Sequence, residues 1–199
     1  MRELKDHYPF TLFGALTGII LMMVFRRMPH GIAHQLFFVF HPLHVFLSAI
    51  VTAGLYCRYK SAAQVRGLHV WKVLVIGYVG SVGIGTLSDS LIPFLGEILL
   101  DMPHRHAHIG VMEKPWLISL AALAGILLAY FRPATKYPHA GHVLISTWAS
   151  LFHMLMAADQ GAVSYFGIFI FLFLAVWLPC CVSDIVFPML FVKKQEHKH

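Results

Sequence analysis

Charge is what this sequence has least of. Only 12% of its 199 residues are charged while 58% are hydrophobic, against about 25% charged in a typical soluble domain. That scarcity argues against a soluble globular class. Cysteine is also sparse: Cys57, Cys180 and Cys181 lack the spacing of a disulfide framework or a zinc ribbon. The adjacent Cys180-Cys181 pair reads as two apolar thiols in a helix. No nucleotide-binding loop, nucleophile elbow or metalloprotease motif occurs, so ATP use within the chain is not expected. Strict alternation of polar and apolar residues, which a membrane barrel needs, is missing too. The first apolar run ends at Arg26-Arg27 without a small-residue cleavage pattern, and is expected to be a span, not a signal peptide.

What the chain does have is apolar length. Runs near residues 9–26, 32–57, 71–97, 115–131, 141–158 and 162–192 predict an all-α integral membrane protein with six transmembrane helices. With the N-terminus inside, the inner segments hold Arg2, Lys5, Arg58, Lys60, Arg66, Lys72, Arg132, Lys136, Lys193, Lys194 and Lys198. The outer ones hold only Arg26, Arg27, Arg105 and Lys114. This asymmetry predicts that both the N- and the C-terminus are cytoplasmic. The formal charge of +6 is then a topological signal. It points to the lipid bilayer as the partner, with no role for nucleic acid.

One pattern is written twice. Ser88-Asp89-Ser90-Leu91-Ile92-Pro93 is echoed by Ser183-Asp184-Ile185-Val186-Phe187-Pro188, each inside an apolar run. A carboxylate is expensive there, and Pro a turn later removes a backbone donor and is expected to break or kink the helix. The echo extends further. Ala15-Leu16-Thr17-Gly18-Ile19 returns as Ala122-Leu123-Ala124-Gly125-Ile126, His34 as His142, and His44 as His153. Halves of three spans each must insert in opposite senses, so the expected architecture is two inverted three-helix repeats. Residues 1–100 form the first, 101–114 an outer His-containing loop, and 115–199 the second repeat with a cytoplasmic tail. Gly77, Gly80, Gly83 and Gly85 supply a small-residue face for close helix packing.

The chain carries fourteen histidines. His34, His41 and His44 fall on one face of the second span, and His142 and His153 on one face of the fifth. At about 1.5 Å per residue, His41 and His44 lie deeper than His34, and Asp89 lies roughly 12 Å from the outer end of its span. In the outer loop His104, His106 and His108 alternate, so an extended segment would hold them to one metal with Asp101 nearby.

Imidazole with carboxylate suits zinc, iron or manganese. The metal ligands expected are therefore His34, His41, His44, Asp89, His104, His106, His108, His142, His153 and Asp184. The function expected is a transporter or channel for a divalent metal ion, proton-coupled through groups that titrate near neutral pH. At this length a homodimer or a larger membrane complex is expected.

Two resemblances offer alternatives. Six spans with facing histidines resemble the general plan of di-haem cytochromes of the b561 type. That resemblance implies electron transfer through haem b held by the second and fifth helices, and leaves Asp89 and Asp184 without a role. His30-x-x-x-His34, His41-x-x-His44 and His139-x-x-His142 resemble desaturase-like histidine boxes, which implies a di-iron oxidase; the His-His pairs of such boxes are missing.

Overall fold

In a computed structural model of the chain, the structure describes residues 2–25, 27–59, 70–132, 136–158, 165–181 and 187–191. The described residues are all-helical, with no strand. Helix α1 runs Arg2–Phe25 and α2 runs His30–Tyr59. Helix α3 (Val70–Thr86) continues through a π-helical turn, Leu87–Leu91, into α4 (Ile92–Leu99). A short α5 (Gly110–Glu113) precedes α6 (Pro115–Phe131), α7 (Lys136–Ala157), α8 (Tyr165–Cys181) and the single turn α9 (Phe187–Leu190). The stretches His30–Arg58 and Val70–Leu99 are long and apolar enough to cross a membrane. Leu12–Phe25, Pro115–Phe131 and Tyr165–Pro179 are apolar but shorter.

The centre of the bundle is the pair α2 and α7, which share the most extensive helix contact. Helices α3 and α6 pack on α2 and on each other; α1 and α8 pack on α7 and on each other. Two apolar clusters follow from this arrangement. One joins Met22, Phe37, Leu151, Met154, Ile168 and Leu172. The other joins Ala49, Ala53, Tyr56, Val73, Ile76 and Ile126.

Polarity runs inside-out. His41, His44, Ser88, Asp89, Ser90, Glu97, His142, Ser146, Ser150 and His153 are all fully buried. Meanwhile Trp116 (82% exposed), Leu120, Leu127 and Phe131 turn outward along α6. Soluble monomers seldom leave so much contiguous apolar surface bare.

The expected break after Asp89 is a correction. Pro93 has no N–H for the Asp89 carbonyl, yet the helix does not stop. Ile92 N–H instead bonds the Leu87 carbonyl five residues back, which widens one turn, and Pro93 falls in the first turn of the following helix, where its missing donor is harmless. The second copy of the motif, with Asp184, lies outside the described residues.

Close packing accounts for the glycines. At Gly125 a Cβ would collide with the Phe46 carbonyl oxygen and lie 2.8 Å from the Ala49 Cβ, so α6 meets the α2 backbone directly. Three of the four glycines of α3 likewise face neighbours, whereas Gly83 faces open space. Gly125→Leu should therefore destabilise the bundle by about 1–3 kcal/mol. Gly83→Ala should stabilise it by about 0.5–1 kcal/mol by restricting the unfolded helix backbone. Thermal unfolding of the two variants in detergent checks the contrast in sign.

Candidate functional site

The helix periodicity of α2 stacks His34, His41, His44 and Ser48 along one side. That of α7 does the same with His142, Ser146, Ser150 and His153, all four fully buried. The π turn lies against α7, and its Ser88, Asp89 and Ser90 are wholly buried. Such turns are frequent at functional sites, because the wider ring re-aims side chains. Here the widening also frees the Ser88 carbonyl, which would otherwise accept from Ile92. The Ser150 hydroxyl donates to it at 2.9 Å.

Asp89 is the focus of four donors. His41 Nδ1 (2.9 Å) and His44 Nδ1 (2.7 Å) both reach Oδ2. The Ser88 and Ser146 hydroxyls donate to Oδ1 at 2.6 and 2.9 Å. An ionised carboxylate only accepts, so this shell of donors fits the anion. With both Nδ1 atoms donating, a neutral imidazole carries its lone pair on Nε2. Among the described residues neither His41 Nε2 nor His44 Nε2 has a hydrogen-bond partner, and both are buried. His44 stacks face to face on His142, with ring centroids 5.1 Å apart and planes 4° from parallel. His41 stacks on Phe37 in the same way, at 5.1 Å.

A second pair lies on the loop side of this cluster. Glu97 Oε1 accepts from His153 Nδ1 at 2.7 Å, and both residues are fully buried. His153 Nε2 accepts the His108 N–H at 3.2 Å, which fixes the neutral tautomer. Glu97 Oε2 accepts the His106 N–H at 3.4 Å, and Ser90 Oγ donates to the His108 carbonyl at 2.6 Å. The loop of residues 102–109 is thereby tied to Glu97, His153 and Ser90. Gly110 completes the seal, since a Cβ there would overlap the His41 ring.

The third group is at the mouth. Glu113 pairs with His108 Nδ1 through Oε1 (2.9 Å) and with His34 Nε2 through Oε2 (3.4 Å). Burial holds the His108 imidazole below its ordinary range, and Glu113 pulls the other way without reversing this. Burial pushes the Glu113 carboxyl up, but its bonds to His108 and His34 outweigh that and hold it below the usual carboxylate range.

The expected site residues thus fall into place unevenly. His41, His44 and Asp89 come together, with His142 stacked beside them; Asp89 is level with His41 and His44, not with His34. His153 serves Glu97 on the loop side, and His34 and His108 meet at the mouth. His104 and His106 are exposed, and the loop is no extended ligand strip. Asp101 takes a left-handed backbone (φ 51°) and pairs with Arg105 at 3.1 Å, away from the His108 group. The described members of the histidine boxes fall in two places: His34 meets His108, while His142 meets His44.

Four polar residues escaped the sequence reading. Glu97 and Glu113 were readable as acids beside the outer loop, but each stood at the edge of an apolar run, where a solvated charge is ordinary. Ser146 and Ser150 carried a signal in their helical spacing from His142 and His153.

No protein-family model, curated protein sequence or solved structure matches this chain. The site must be read from its own chemistry.

If Glu97 anchors the loop, Glu97→Ala removes the acceptor that His106 N–H and His153 share. Hydrogen exchange should then accelerate at least tenfold for backbone amides of residues 104–108, while the middle of α2 stays protected. Unchanged loop protection would show that Glu97 does not hold it.

Proposed function

We propose that the chain is a six-span membrane protein of two inverted three-helix repeats that binds a divalent first-row metal ion in its interior and moves it across the bilayer. The observation that carries this reading is the Asp89 cluster. A buried carboxylate collects four neutral-type donors, and its only ion-pair partners among the described residues are two imidazoles. With both imidazoles neutral the cluster keeps a net negative charge in a low-dielectric interior, a condition that favours a cation. The lone pairs turned away from Asp89 are nitrogen donors, which suit zinc, iron or manganese better than calcium or magnesium. A carboxylate that holds Nδ1 and leaves Nε2 open is also the usual support of a metal-binding histidine.

The packing supports the rest of the reading. Under the inverted repeat, α1, α2 and α3–α4 correspond to α6, α7 and α8–α9. The α2–α6 contact then corresponds to α7–α1, and α3–α6 to α8–α1; all four contacts are present. The outward apolar residues of α6 suit a lipid environment. Imidazoles exchange protons near neutral pH, so protons are the counter-ion that the proposal assigns.

Electron transfer through haem b is the weaker reading. A porphyrin between His44 and His142 would need their rings separated by its own thickness and turned edge-on to it, and they stack face to face.

Elemental analysis and a visible spectrum of the tag-free protein in detergent come first. Near-stoichiometric zinc, iron or manganese with no Soret band is the expected result, and a Soret band would turn the assignment to haem. In proteoliposomes containing a fluorescent zinc indicator, Asp89→Asn and Asp184→Asn should each cut metal uptake at least tenfold while the protein stays folded. Full uptake by both variants would defeat the proposal.

A further inference from the structure

The mouth group is a separate arrangement that transport does not require. One ligand atom from each of His34, His108 and Glu113 lies within 4.8 Å of the other two, the one such set of three found among the described residues. Zinc bonds of about 2.0–2.1 Å place tetrahedral ligands roughly 3.3–3.4 Å apart. Glu113 already spans the two histidines, with Oε1 2.9 Å from His108 Nδ1 and Oε2 3.4 Å from His34 Nε2, so small side-chain rotations would bring the ligands to that spacing. His30 stands four residues before His34 on α2, hence on the same side one turn away. Its ring centroid is 6.2 Å from that of His108.

The cations of the loop are engaged elsewhere. Arg105 pairs with Asp101, and the Lys114 ammonium lies 4.0 Å from the centre of the Phe38 ring. The Phe38 ring that holds Lys114 packs in turn on His34, with centroids 4.9 Å apart. The backbone does not have to move far: His108 is already fixed by His153 and Ser90.

We infer that His34, His108 and Glu113, with His30 as fourth ligand, form a tetrahedral zinc-type site that clamps the outer loop to the start of α2. The site would be occupied by Zn²⁺ or a first-row ion of like preference. It is a resident site, distinct from the interior site through which the ion is proposed to pass. Closing it holds Gly110 against His41 and so keeps the loop seated over the Asp89 cluster.

The test uses full-length protein in detergent, stripped of metal and titrated with Zn²⁺. The His34→Ala/Glu113→Gln double variant should lose one equivalent of bound zinc. Asp89→Asn, which is expected to disable transport, should keep that equivalent, so failure of the transport reading leaves this result intact. A direct signature comes from His34→Cys loaded with Co²⁺: a new thiolate-to-cobalt charge-transfer band should appear over the wild-type spectrum. The clamp is overturned if the double variant binds zinc as the parent does. It is also overturned if the folded His34→Cys protein shows no added band.

Discussion

A buried carboxylate sets the terms for this structure. An isolated ionised carboxylate in a low-dielectric interior costs several kcal/mol even after relaxation, and Asp89 has no exposed surface at all. Three elements contribute to meeting that cost. Helix α2 brings two imidazoles three residues apart, α7 brings the Ser146 hydroxyl, and the π turn brings Ser88. The widened turn is part of the same solution, because it lets the helix run on past Pro93 while Ser150 takes the carbonyl left over. Remove the side chain, and four donors lose their shared acceptor.

The loop is held by the same logic one layer out. Glu97 is a second buried acid, and its partners are one imidazole and one backbone amide of the loop. Its neighbour His153 accepts another loop amide. A segment without regular structure over residues 102–109 would otherwise have to leave backbone groups unpaired against a polar interior. Polar side chains in the bundle position this loop together with Met102, which is buried in the apolar cluster around Phe37 and Met154.

Much of the helical plan was legible. Long apolar runs gave α2, α3–α4 and α6 nearly to the residue, and the spacing of His41 and His44 put both on the face where Asp89 meets them. What could not be read was pairing across the chain. Asp89 and Glu97 look alike as single acids in an apolar setting, yet one answers to α2 and the other to α7. The alternating loop histidines look like a ligand strip, but alternation matters only in an extended strand, and this loop is not one. Proline predicted a break because the sequence cannot reveal that a five-residue hydrogen bond would take up the slack.

The sequence separation of these bonds bears on how the chain is made. His41 and His44 lie 48 and 45 residues before Asp89, so this buried acid finds imidazole partners within the part of the chain synthesised first. Ser146, Ser150 and His153 come 57, 62 and 56 residues after the groups they bind. They are synthesised after the groups they bind. A nascent N-terminal half can therefore shelter its own anion while it waits. The later residues, His153 with its bond to Glu97 among them, supply the remaining partners.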